Sequence, residues 1–154
     1  MRVADVMKTG VPTLSPNMTW KEAAKFLFAN NCSALPVVDA QGTLVGILSE
    51  KDLFRGLFPK YNDWIRNPEA YLDFEKREQE TVSETGGRTV REVMGTKLIT
   101  AKPQTPLLKI GALMVARGVH QVPVVEKGHV VGMVQRGKIY TTLLRQYFGI
   151  ERKK

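Results

Sequence analysis

The chain has 154 residues, 43% of them hydrophobic and 25% charged, with a formal net charge of +8; this balance fits a globular protein and excludes a low-complexity or collagen-like one. One cysteine, Cys32, and two histidines exclude an intramolecular disulfide and an ordinary structural zinc site. No apolar run approaches the roughly 18 residues that span a bilayer, and residues 1–5 lack a signal-peptide core, so the expectation is a cytoplasmic protein, without membrane partners, whose basic excess favours phosphates, nucleic acid or acidic surfaces.

Residues 3–7, Val-Ala-Asp-Val-Met, return 87 positions later as Val-Arg-Glu-Val-Met. The same offset carries Thr13 onto Thr100, Pro16 onto Pro103, and Pro36-Val37-Val38-Asp39 onto Pro123-Val124-Val125-Glu126. One residue dropped in a turn then brings Gly42 to Gly128, Gly46 to Gly132 and Leu57 to Leu143. Agreement at so many prolines and glycines marks two copies of one supersecondary unit.

In chain order, an extended piece at 11–14 leads to a helix opening at Thr19, with Glu22 three residues on as a capping box. Trp20, Ala23, Ala24 and Leu27 recur at helical spacing, so one face is buried, and Asn30-Asn31 supply the stop. Two runs rich in β-branched residues follow, 35–38 and 43–48, joined by Ala40-Gln41-Gly42 into a hairpin before a second helix from Glu50. Residues 58–89 have no counterpart in either copy and hold seven acids against five bases. Within them Asn67-Pro68-Glu69 starts a helix running to Glu80, and Gly86-Gly87 forms a joint; a helix covering its own core and an arm reaching a partner are both open.

The second copy repeats the order. An extended piece at 98–101 precedes a helix from Thr105 with Pro106 in the first helical position; Leu107, Ile110, Gly111 and Met114 form its buried face and Gly118 its stop. Runs at 122–125 and 130–134 flank Lys127-Gly128, and the closing helix starts at Arg136. The domain reading is a first repeat at 1–57, an inserted linker at 58–89, a second repeat at 90–148 and a basic tail at 149–154. A single copy of roughly 55 residues buries its apolar face poorly, so the two are expected to pack sheet against sheet about a pseudo-twofold axis.

This duplicated strand-helix-strand-strand-helix pattern resembles a tandem pair of cystathionine-β-synthase (CBS) domains, a Bateman module, an α/β (α+β) fold of two β-α-β-β-α repeats. The residues that carry the resemblance are Ser33-Ala34-Leu35-Pro36-Val37-Val38-Asp39 and Gly46-Ile47-Leu48-Ser49-Glu50-Lys51-Asp52. The resemblance implies regulatory binding of AMP, ADP, ATP or S-adenosylmethionine in clefts between the repeats, and no catalysis.

The residues also allow a physical account. Ser49 begins a helix whose first N–H groups lack intrahelical partners, a natural phosphate seat, and Asp52 one turn on could accept hydrogen bonds from two vicinal ribose hydroxyls. The same Ser-x-x-Asp is equally a capping sequence that stabilises its helix with no ligand. Carried over from the resemblance, the first cleft joins Ile47, Ser49, Lys51 and Asp52 to Thr100, Ala101, His120, Gln121 and Pro123. There Thr100 would meet sugar or base, the backbone from His120 to Val122 would meet the adenine edge, and His120 would touch phosphate or remain a loop histidine. The weaker second cleft joins Thr13, Ser33, Ala34 and Pro36 to Arg136 and Lys138. It departs from the family pattern, with Gln135 in place of Ser/Thr and Lys138 in place of the aspartate. Two cations at a helix N-terminus oppose its dipole, so Arg136 and Lys138 either point into water or hold phosphates.

Met7, Met94, Met114 and Met133 are expected as gap-filling core, and Cys32 as packing. The leading function is a sensor whose ligand shifts the two repeats and whose change an unknown downstream protein reads; a homodimer is the expected assembly. The alternative is nucleic-acid binding through the basic surface, tail included, although no aromatic-and-basic stripe accompanies the charge. Catalysis is not expected: the sequence has no Walker lysine motif, no nucleophile paired with a base and no metal cluster.

Overall fold

The computed structural model describes residues 1–56, 66 and 85–150. In chain order these hold a 3-10 turn at Val3–Asp5, α1 (Trp20–Ala29), β1 (Ala34–Val38), β2 (Leu44–Ser49), α2 (Glu50–Gly56), a short α3 (Val90–Val93), α4 (Leu107–Ala116), β3 (Gln121–Glu126), β4 (His129–Gln135) and α5 (Arg136–Phe148). The fold is mixed α and β with two small sheets, β1 with β2 and β3 with β4, as the repeat pattern implies. The expected helix at 67–80 and the basic tail at 151–154 lie outside the described residues.

Local chemistry explains most boundaries. Thr19 caps α1: its hydroxyl accepts the Glu22 N–H at 3.2 Å while the Glu22 carboxylate accepts the Thr19 N–H at 2.8 Å, so two otherwise orphaned donors are satisfied. The helix ends where Asn31 takes φ 50°, the left-handed geometry that asparagine tolerates. The second repeat differs by one residue from expectation. Pro106 is the N-cap of α4, at φ −57° and ψ 132°, and Leu107 is the first helical residue. The reason lies in the preceding turn, where the Thr105 hydroxyl accepts the Lys102 N–H at 2.9 Å and is thereby drawn back from the helix. In the β3–β4 turn Lys127 and Gly128 both adopt positive φ, 51° and 84°, as a two-residue hairpin loop requires.

The described residues form two compact units. The C-terminal unit comprises Met1–Pro12, Gln41–Leu44 and Leu98 onward; the N-terminal unit comprises Thr13–Ala40 and Val45–Lys97. These units do not coincide with the sequence copies, because the opening segment of each copy belongs to the unit built on the other copy's strands.

In the C-terminal unit the Val3 and Ala4 N–H groups donate to the carbonyls of Thr105 and Pro103, both at 2.9 Å. Lys8 and Met133 then exchange backbone hydrogen bonds at 2.8 and 2.9 Å, adding a rung to the outer edge of β4. On the other side Ala101 bridges Val124 in parallel, through bonds of 3.0 Å to Pro123 and 2.8 Å from Val125. The core gathers Val3, Leu107, Ile110, Met114, Val122, Val124, Val134, Ile139 and Leu143. Val3 is fully buried, a contribution of about 1.5–3 kcal/mol from one side chain.

The N-terminal unit repeats this arrangement. Val90 and Arg91 donate to the carbonyls of Met18 and Pro16 at 2.8 and 3.0 Å, and Gly95 exchanges bonds with Ile47 at 2.8 and 3.0 Å. Leu14 bridges Val37 in parallel. Val90, like Val3, is fully buried, together with Leu14, Leu27, Leu35, Val37 and Leu48. The strand glycines are explained by the same docking. A Cβ on Gly132 would stand 2.8 Å from the Lys8 carbonyl oxygen, and one on Gly46 would collide with the Met94 sulfur. Glycine lets the backbone approach that closely. Met114 and Met133 are buried, in keeping with their expected core role.

Candidate functional site

The candidate residues of the N-terminal unit sit where β2 runs into α2. Ser49 ends β2 and Asp52 lies in the first turn of α2. The Asp52 Oδ2 atom accepts two hydrogen bonds from Ser49, the N–H at 2.9 Å and the hydroxyl at 2.6 Å, and the Ser49 oxygen in turn accepts the Asp52 N–H at 3.2 Å. Both residues are half-buried. This reciprocal box is the capping arrangement that the sequence allows.

The same unit contains two more such boxes, Thr19 with Glu22 and Thr89 with Glu92. Hydrogen bonds from the threonine N–H and then its hydroxyl hold both glutamates below the usual carboxylate range, because bonds to the charged form favour ionisation. The Ser49–Asp52 box is thus one of three similar local devices, distinguished by its partial burial.

The phosphate seat is narrower than the sequence suggests. The Glu50 N–H, first in α2, donates to the Ser33 carbonyl at 2.9 Å, and the Asp52 N–H is taken by Ser49. Ile47 has both backbone groups committed to Gly95. Lys51 is exposed. Of the weaker set, Ala34 and Pro36 are buried in β1. The Pro36 carbonyl accepts the Leu14 N–H at 2.9 Å, which brings exposed Thr13 beside the strand, and exposed Ser33 immediately precedes β1.

In the C-terminal unit Thr100, Ala101 and Pro123 are brought together by the parallel bridge: Ala101 is buried, Thr100 beside it is exposed, and the Ala101 N–H donates to the Pro123 carbonyl. His120 is exposed and Gln121, opening β3, is half-buried. The His120 carbonyl accepts the Arg136 N–H at 2.9 Å, the counterpart of Ser33 with Glu50. The start of each closing helix is therefore stitched to the residue before or opening its hairpin.

One cluster was not anticipated. The sequence reading separates His120 and Arg136 into different clefts, whereas a terminal nitrogen of the Arg136 guanidinium lies 2.9 Å from His120 Nδ1 and 3.1 Å from Nε2. Contact with both ring nitrogens at once places the guanidinium over the imidazole. The Arg136 guanidinium carbon also lies 5.9 Å from the Tyr140 ring centroid, within cation–π range. The i, i+4 spacing of Arg136 and Tyr140 on one helix face was the available signal. Lys138 is exposed and α5 has no side-chain cap at its N-terminus. Among the described residues no group of three or more His, Cys, Asp or Glu could hold a metal ion, and no helix is long and apolar enough to cross a membrane.

These two hairpin-and-helix units, each with a strand glycine and a stitched closing helix, define a duplicated mixed α and β fold, and sequence comparison places it. A model of the CBS domain family matches residues 3–58 and 90–145, and the chain belongs to the CBS domain family. The CBS domain-containing protein YhcV of Bacillus subtilis is 31% identical over 137 residues, 89% of this chain and 81% of the relative. The CBS domain pair of protein MJ0100, solved in complex with 5′-methylthioadenosine and S-adenosyl-L-methionine, superposes with TM-score 0.71 at 25% identity, covering 95% of this chain and 98% of that one. CBSX2 in complex with AMP, a protein of Arabidopsis thaliana, shares the fold with TM-score 0.71 at 24% identity over 95% and 98% of the chains.

Proposed function

We propose that this chain is a regulatory module that binds an adenosine-containing ligand, AMP, ADP, ATP or S-adenosylmethionine, and passes its occupancy to another protein, with no chemistry of its own. Family membership and the ligands named for MJ0100 and CBSX2 support the reading. The observation that carries it is the half-buried Ser49–Asp52 pair at the family's motif position. Its carboxylate spends one oxygen on Ser49, and an ionised carboxylate offers about four acceptor sites, so two vicinal ribose hydroxyls can still be received.

The proposal assigns the ligand to Ile47, Ser49, Lys51 and Asp52 together with Thr100, Ala101, His120, Gln121 and Pro123. Thr13, Ser33, Ala34, Pro36, Arg136 and Lys138 form the weaker set, which lacks a ribose-binding acid. A homodimer in the cytoplasm belongs to the same proposal, the assembly being checked by light scattering. A thermal-shift panel of the four ligands and single-stranded RNA tests the function. A ligand that binds only the folded state, present at about 100 times its Kd, stabilises it by roughly 2.7 kcal/mol. Response to RNA alone, or to none of the five, would overturn the reading.

A further inference from the structure

Six methionines are spread along the chain, and two of them, Met7 and Met94, lie 87 residues apart at matched positions. Each sits on an opening segment that docks on a strand edge, and each lays its thioether against the strand glycine there. A Cβ on Gly132 would stand 3.2 Å from the Met7 sulfur and 3.4 Å from its Cγ. One on Gly46 would meet the Met94 sulfur first, then its Cγ at 3.0 Å and its terminal methyl at 3.2 Å. The whole end of the Met94 side chain therefore rests on the Gly46 backbone, more closely than Met7 rests on Gly132.

Exposure sorts the six. Met114 and Met133 are buried, Met1 is exposed, and Met7, Met18 and Met94 are half-buried. A small oxidant thus has access to Met94, as it has to Met1 and Met18, yet among the described residues no glycine has Met1 or Met18 as its nearest neighbour. An oxygen added to the Met94 sulfur finds the nearby main-chain donors already committed. The Met94 N–H donates to the Val90 carbonyl at 2.8 Å, the Gly95 N–H to the Ile47 carbonyl at 2.8 Å, and the Ile47 N–H to the Gly95 carbonyl at 3.0 Å. Gly46 is buried and has no side chain to offer. A sulfoxide is polar where the thioether is apolar and adaptable, and a polar group taken out of water without a donor is costly. Lifting Met94 off β2 relieves that cost, and it breaks the Gly95–Ile47 pair two residues ahead of Ser49.

We propose that Met94 is a site of reversible oxidation by peroxide, and that its sulfoxide unlatches the 90–95 segment from the edge of β2. The thioether sulfur attacks one peroxide oxygen. The S–O bond forms as the O–O bond breaks, and the proton on the transferred oxygen passes to the leaving hydroxide, giving sulfoxide and water. Sulfur is oxidised by two electrons and the peroxide is reduced by the same two. The latch belongs to the packing of the N-terminal unit, so the inference stands without any ligand, and its test uses none.

The full chain is treated with hydrogen peroxide and then with dithiothreitol, which reverses sulfenate and disulfide at Cys32 but not methionine sulfoxide. Peptide mass spectrometry locates the added oxygen, and hydrogen exchange follows the main chain. Sulfoxide at Met94 is expected to lower the melting temperature by about 5 °C and to speed exchange in residues 44–49 and 90–97 by roughly tenfold, with α4 unchanged. The two epimer-specific methionine sulfoxide reductases restore both. Met94→Leu keeps an apolar contact of similar volume, so after the same treatment it retains its melting temperature although Met1 and Met18 are oxidised. Met94→Gln carries a polar group to the same place and reproduces the fast exchange without peroxide. A Met94 that stays reduced while Met1 and Met18 oxidise, a fall in melting temperature as large in Met94→Leu, or exchange that rises equally over α4 would each overturn the proposal.

Discussion

Asp52→Ala separates the capping role of the Ser49–Asp52 pair from its proposed ligand role. The substitution deletes the acceptor of the Ser49 N–H and hydroxyl bonds, 2.9 and 2.6 Å, but leaves the main-chain N–H of position 52 able to donate to the Ser49 oxygen. Half of the box survives, so the stability loss is about 1 kcal/mol. The proposed ribose contact is a larger effect, because each hydrogen bond to a charged acceptor contributes about 1.5–3 kcal/mol, and losing two raises Kd at least 100-fold. In urea denaturation with AMP at about 100 times the wild-type Kd, the wild-type protein gains roughly 2.7 kcal/mol; a Kd raised 100-fold leaves the variant a gain of only about 0.4 kcal/mol. Glu22→Ala and Glu92→Ala break comparable boxes in the same unit and serve as controls that lower stability yet retain the full AMP increment. An Asp52→Ala protein that keeps the whole increment refutes the ribose assignment and leaves the pair a cap.

Gly132→Ala is expected to destabilise by about 2–4 kcal/mol, combining overpacking with damage to the paired bonds between Lys8 and Met133, because the obstructing atom is the Lys8 carbonyl oxygen. Gly46→Ala meets the flexible Met94 side chain instead, so its loss is smaller and is partly recovered by adding Met94→Ala, whereas Met7→Ala does not rescue Gly132→Ala; midpoints of urea denaturation compare the set, and equal losses at the two glycines would contradict the close Lys8 approach. Acid should weaken the N-terminal unit. With the Glu22 and Glu92 pKa values lowered in the folded state from the ordinary 4.5, their contribution is complete above that value and disappears as pH falls through the lowered ones. Glu22→Gln with Glu92→Gln therefore flattens the acid limb of a melting-temperature profile as pH falls below the ordinary 4.5, and an unaltered limb would count against the two boxes.

Much of the fold was legible because its signals are local. Thr19 with Glu22, Asn31 and the Lys127-Gly128 turn act within a few residues of themselves, and the chain obeys them whatever surrounds it. The candidate site was legible as residue types, through Ser49 and Asp52, but not as hydrogen-bonding capacity. Whether the Glu50 N–H is open to phosphate depends on where Ser33 ends up, 17 positions earlier, and the structure gives that N–H to the Ser33 carbonyl. The meeting of Arg136 with His120 is of the same kind, since the β3–β4 hairpin has to close before the two can touch.

Sequence by itself determined that there are two copies, where their helices start to within a residue, and which residues are small enough to be approached. Only the tertiary structure decided which copy receives which opening segment. Val3 and Val90 head similar segments, the carbonyls that receive them, Pro103 and Thr105 in one unit and Pro16 and Met18 in the other, occupy equivalent positions in the two copies, and the strand glycines that the segments then meet, Gly132 and Gly46, are equivalent too. Local affinity cannot distinguish two matching sockets. The choice belongs to the path of the connected chain, which no pattern of neighbouring residues records.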